Sequence, residues 1–124
     1  MSNNVQTVKE FYAAFMRGDA AYIMERVTAD VLWIFEGPAT VPWAGTLSGP
    51  EQAVFFFENL AMTNSDIRFV MNLFVAEGDY VASFGRYAST IGGRRVSTPI
   101  AHLFRFENGK LAEFRNHANT AAYM

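Results

Sequence analysis

The 124-residue chain is 51% hydrophobic, 15% aromatic and 18% charged, a balance that suits one packed domain and excludes a disordered one. A formal net charge of −2 offers no basic footprint for nucleic acid or an acidic membrane surface. With no Cys, disulfides and thiolate chemistry are out, and no apolar run approaches the ~18–20 residues of a membrane helix.

The polar start, Met1-Ser2-Asn3-Asn4, lacks the apolar run of a leader, so a cytoplasmic protein is expected. Twelve Phe, five Tyr and two Trp exceed what so small a core needs, and some should line a cavity or an interface.

Val5, Val8, Tyr12 and Phe15 recur at helical spacing with Phe11 beside them; Asn3 is positioned to cap this helix and Gly18 to end it. Asp19 caps a second helix, Ala20 to Val27, with Ile23, Met24 and Val27 inward. A strand, Val31 to Phe35, is apolar on both faces. Residues 37–48 read as a loop. Ser48 and Glu51 have capping-box spacing, and Pro50 opens a third helix to about Met62 with Ala53, Phe56, Phe57 and Leu60 on one face.

From Asp66 the pattern changes to strands. Ile67 to Val75 alternates, Gly78-Asp79 turns, Tyr80 to Thr90 returns, and Gly92-Gly93 turns again. Val96 to Phe106 and Leu111 to about Ala118 form a last hairpin. Strands near ten residues exceed the ~5–6 average, which predicts a curved or bulged sheet. The order predicts an α+β domain, with helices on one side of a bent sheet.

The last hairpin has two registers. A two-residue Asn108-Gly109 turn sets Glu107 opposite Lys110, whereas a three-residue loop sets Phe106 opposite Lys110. The second keeps one face apolar, with Ile100, His102, Phe104, Phe106, Ala112, Phe114, Asn116 and Ala118, and is preferred because a one-residue slip exchanges faces. Leu111, Arg105, Glu113, Arg115 and His117 then fall on the opposite face, and His102 and Asn116 become diagonal neighbours, about 7–8 Å apart.

A neutral imidazole in an apolar cavity can give and accept a proton, which makes His102 a catalytic candidate; the competing reading is a core histidine bonded to a backbone carbonyl. Glu36, on the face of Leu32 and Ile34, would be a general base if buried and a solvated strand-end residue if not. Asn116 would orient a carbonyl or enolate oxygen without taking a proton. Phe11, Tyr12, Phe15, Trp33, Trp43, Phe57, Phe104 and Phe114 are candidate ligand-binding walls or plain core, Asn119 a further ligand contact, and Trp43 a lid. No metal is expected, because the preferred register puts His102 and His117 on opposite faces. No glycine-rich phosphate loop or nucleophile elbow is present, so no cofactor is expected.

Three stretches, Val8 to Asp19, Pro42-Trp43-Ala44-Gly45-Thr46-Leu47-Ser48-Gly49 and Ala101 to Lys110, resemble the SnoaL-like polyketide cyclase and ketosteroid isomerase-like group of the nuclear-transport-factor-2-like superfamily. The resemblance implies a cone: a curved mixed or antiparallel sheet wrapped around three N-terminal helices, with a deep apolar pocket. It also implies a homodimer through the outer sheet face, here Ala101, Leu103, Arg105, Glu113 and Arg115. The isomerases' oxyanion-hole tyrosine matches Phe11, so Tyr12 would have to substitute; their second oxyanion-hole residue, an aspartate, matches His102. Their general base falls near Phe35 or Glu36. In the cyclases a histidine and an acid face one cavity from the last two strands; His102 matches the first, and Asn116 stands where the acid would be.

Two main functions follow. One is a proton-transfer enzyme, an isomerase, cyclase or dehydratase on a small hydrophobic carbonyl compound, with Glu36 as base, His102 as acid or oxyanion donor and Asn116 orienting. The other is a non-catalytic module holding a small apolar ligand. A trafficking factor is a third, with no partner groove to mark it.

Overall fold

The computed structural model describes residues 3–41 and 43–123. The Met1-Ser2 start and the Pro42 that opens the loop motif lie outside the described residues.

Helix α1 (Asn4–Arg17) is capped by the Asn3 side chain, which accepts from the Gln6 N–H at 3.1 Å, and ends at a left-handed Gly18. In α2 (Ala20–Glu25) the Asp19 carboxylate accepts from Tyr22 N–H at 3.0 Å. This helix stops short of the expected Val27, and Met24, expected inward, is exposed. The reason is backbone pairing. Leu111 N–H donates to Arg26 O and Val27 lies opposite Leu111, so strand β1 (Val27–Phe35) begins four residues before its apolar run.

The expected loop at residues 37–48 contains a strand, β2 (Gly45–Ser48), paired antiparallel to β1 with Leu47 opposite Trp33. This short edge strand is mostly exposed and carries no burial alternation to read. Helix α3 (Pro50–Thr63) starts on its proline, but the Ser48–Glu51 box does not form. Gly49 holds the cap position, and Gln52 Oε1 accepts from Ser48 N–H at 2.9 Å.

Strands β3 (Ser65–Glu77), β4 (Tyr80–Ile91), β5 (Arg94–Glu107) and β6 (Lys110–Ala118) form an antiparallel meander, followed by a 3₁₀ turn (Thr120–Tyr123). The sheet order is β2-β1-β6-β5-β4-β3, with β1 parallel to β6, and the sheet stays open. Bulges interrupt β3 between Ser65 and Arg68 and between Met71 and Leu73. Gly85 of β4 lies opposite Met71, where an added Cβ would stand 1.8 Å from Val70 O. Only glycine permits that approach.

The core sets Val8, Phe11 and Ala14 of α1 and Ala53, Phe56 and Leu60 of α3 against Val31, Trp33, Phe35, Phe104, Phe106 and Phe114 of the sheet. Each large side chain so buried contributes about 1.5–3 kcal/mol. The α+β cone expected from the sequence is the fold observed: three helices against a curved, mixed sheet of six strands.

The last hairpin corrects the preferred register. Asn108 and Gly109 form a two-residue turn with φ of 51° and 80°, so Glu107 faces Lys110 and Phe106 faces Leu111. A bulge at Ala112 then resets the ladder, and Arg105 faces Glu113. Leu111 and Ala112 are therefore both buried, although the register preferred on sequence puts Leu111 on the outer face. The extra residue restores the parity that keeps Phe114 and Asn116 inside. His102 and Asn116 end as direct cross-strand partners rather than diagonal ones.

Candidate functional site

A cavity of about 60 Å³ lies between the inner face of the sheet and helices α1 and α3. Phe11, Tyr12 and Phe15 border it from α1; Trp33 from β1; Trp43 from the β1–β2 loop; Phe57 from α3; and His102, Phe104, Phe114 and Asn116 from the last hairpin. Sequence reasoning missed Phe35, Phe56, Leu60, Phe69, Tyr87, Ile100 and Tyr123. Four of these had a readable signal: Phe35 is two residues from Trp33, Ile100 is two from His102, and Phe56 and Leu60 share the helical face of Phe57. Phe69 and Tyr87 face each other across β3 and β4, and their arrival depends on the bulges.

The rings divide into two groups. Tyr12 meets Phe69, Phe74, His102 and Phe104 at one end. At the other, Tyr123 packs edge-on against Trp43 at 5.2 Å and touches Phe35 and Tyr87. Trp33, stacked on Phe114 at 4.4 Å, lies between them, and Phe114 in turn touches His102.

One chain of polar groups crosses this wall. Asn116 Nδ2 lies 2.8 Å from His102 Nε2. An amide nitrogen only donates, so Nε2 accepts, and the ring proton sits on Nδ1. That Nδ1–H donates to the Tyr12 hydroxyl oxygen at 2.8 Å, and the Tyr12 hydroxyl donates to Ser83 Oγ. Ser83, fully buried on β4, is opposite His102 across the ladder and was not singled out by the sequence. Burial holds His102 down to about 3, and the nearby His117 pushes the same way, so the imidazole is neutral at physiological pH. The Tyr12 phenol is held above its ordinary range, again by burial. No Asp, Glu, Lys or Arg borders the cavity among the described residues.

Both nitrogens of His102 are thus occupied within the protein. Three other polar atoms on the side chains that border the cavity are not: Trp33 Nε1, Trp43 Nε1 and Asn116 Oδ1 are buried and have no hydrogen-bond partner among the described residues.

Two expected site residues stand elsewhere. Trp33 and Phe35 point inward, so alternation sends Glu36 to the outer side with Leu32 and Ile34. Its side chain is 51% exposed and pairs with Arg115 Nη1 at 3.3 Å, which removes it from the reach of a pocket ligand. Asn119 follows the end of β6; it is exposed, and its backbone is what is engaged: its N–H donates to Thr98 Oγ1 at 3.0 Å and its carbonyl accepts from the Ala122 N–H at 3.0 Å. His117 is exposed on the face opposite His102, and no three potential ligands gather into a metal cluster among the described residues. No described helix is long and apolar enough to cross a membrane.

Residues 8–114 match the SnoaL-like domain family. No curated protein matches the chain. Among solved structures, an NTF2-like protein of unknown function from Burkholderia pseudomallei is 31% identical, with 98% of this chain and 94% of that one covered and a TM-score of 0.89. TerC, co-crystallised with polyporic acid, is 22% identical, over 98% of this chain and 95% of its own, with a TM-score of 0.87. A putative SnoaL-like polyketide cyclase from Jannaschia sp. is 23% identical over 97% and 90%, with a TM-score of 0.78.

Proposed function

The chain belongs to the SnoaL-like domain family, and from that premise we propose that it is a pocket protein that takes up a small, uncharged, hydrophobic carbonyl compound and holds it without chemical change. The observation that carries this reading is the composition of the cavity wall: aromatic rings, no ionic side chain, and a histidine kept neutral with both nitrogens already bonded. A charged ligand would lose its hydration here with no counter-charge to offset it. TerC, on the same fold, was co-crystallised with polyporic acid, which agrees with a small organic ligand.

A second reading, an isomerase, cyclase or dehydratase acting by proton transfer, is favoured by the Ser83–Tyr12–His102–Asn116 chain. Tyr12 would donate to a developing enolate oxygen. His102 would take the carbon-bound proton on Nε2 once Asn116 releases it, because Glu36 stands outside the cavity. Family membership supports this class, but a base whose conjugate acid lies near 3 is weak.

Incubating the protein with 1-tetralone in D2O separates the two. Perturbed Trp and aromatic resonances without deuteration of the ketone's α-carbon are the expected result. Deuterium uptake that disappears in His102→Ala would establish the enzyme instead, and no binding by any neutral ring ketone would remove both.

The same reading takes the protein as a homodimer. Val75, Ala82, Leu103 and Arg115 form one cross-strand row on the outer face, and Val70, Leu73, Tyr80 and Phe84 expose apolar area beside it. Sedimentation should give twice the chain mass, reduced to the single mass by Phe84→Lys. A single-chain mass for the unaltered protein would end the dimer proposal.

A further inference from the structure

Four buried side-chain polar atoms lack a partner among the described residues, and three of them belong to side chains that border the one aromatic cavity: Trp33 Nε1, Trp43 Nε1 and Asn116 Oδ1. A buried N–H or C=O left without a partner costs about 1–3 kcal/mol, and folds rarely leave several in one place without use. Trp33 and Trp43 are only 3% and 5% exposed, so bulk water does not serve them. They belong to different elements, an interior strand and a loop, and both border the cavity.

The three atoms also differ in kind. The indoles can only donate, so whatever meets them must accept; Asn116 Oδ1 can only accept, so its partner must donate. Oδ1 has this role because His102 engages the other end of the same amide and prevents it from turning. His102 is in this sense a positioning residue, held in its turn by Tyr12 and Ser83.

We infer that the pocket selects an uncharged aromatic compound bearing both a carbonyl and a hydroxyl group: carbonyl oxygen accepts from the indole N–H groups of Trp33 and Trp43, and the hydroxyl donates to Asn116 Oδ1. This rests on the pocket reading and narrows it from hydrophobic carbonyl compounds at large to phenolic ketones and their relatives. Carboxylates are rejected for lack of a cation, and plain hydrocarbons leave all three atoms unserved.

The test uses four rings of similar size: 4-hydroxyacetophenone, acetophenone, 4-ethylphenol and ethylbenzene. Each is titrated into the intact protein and into Tyr123→Ala, which opens the cavity beside Trp43. The chain has two Trp, so two indole N–H resonances report on the donors directly. The expected result is tightest binding by 4-hydroxyacetophenone, weakened about tenfold by loss of either oxygen. Both indole signals should move downfield with the two ketones and not with ethylbenzene. In Asn116→Leu the hydroxyl should lose its advantage while the carbonyl keeps its own. If ethylbenzene binds as well as 4-hydroxyacetophenone and the indole signals stay still, the selectivity inference fails and the pocket reading stands. If none of the four binds either protein, both fail.

Discussion

Between pH 6 and pH 4.5 an unfolded histidine takes up a proton that buried His102 refuses. The unfolded value is about 6.5 and the folded one about 3, so in this window the unfolded chain binds close to one proton more. Stability then rises with pH and falls on acidification, with a limiting slope of about 1.4 kcal/mol per pH unit. Integrated from pH 6 to 4.5, the loss is about 2 kcal/mol, a visible share of the roughly 5–15 kcal/mol of a typical domain. A proton forced onto the folded ring would also set its Nε2–H against the Asn116 amide donor, 2.8 Å away. Urea denaturation followed by Trp fluorescence at the two pH values measures the loss, with His102→Gln as reference. Asp19, lowered chiefly by the Tyr22 backbone N–H and then by Arg17, also loses stabilisation as pH falls, but equally in both proteins. The unaltered protein should lose about 2 kcal/mol more than the variant. Equal losses would show that His102 is not buried neutral, and the description of the site would fall with it.

Gly85→Ala should cost about 2–3 kcal/mol in denaturant midpoint analysis, because its Cβ would overlap Val70 O; a loss under about 0.5 kcal/mol would contradict the packing of β3 on β4. Tyr12→Phe strands His102 Nδ1–H and Ser83 together, a loss of about 1–3 kcal/mol by the same measurement, with the His102 resonances shifted. Tyr123→Ala removes a ring held by Phe35, Trp43 and Tyr87 and so enlarges the 60 Å³ cavity; calorimetry should show ring ketones binding several-fold tighter. Glu36→Gln should leave ligand affinity within about twofold, because that carboxylate faces Arg115 outside the cavity.

Local chemistry was legible in the sequence. Asn3, Gly18 and Asp19 mark helix ends through hydrogen bonds made within a few residues, and the alternation of β3 to β6 marks strands that pair with their chain neighbours. The inward face of β5, with Ile100, His102, Phe104 and Phe106, follows from the same alternation. What depended on distant partners was hidden. Strand β2 exists because β1 offers it an edge, and the start of β1 exists because β6 does. The bulge at Ala112, which brings Asn116 opposite His102, leaves no mark in the order of residues, since parity on either side of it is preserved only in three dimensions. Glu36 was a strand-end acid on paper; which side of the sheet it faces was decided when Trp33 and Phe35 turned toward the helices. Periodicity along the chain names the residues that share a face, and only packing decides which face closes around the cavity.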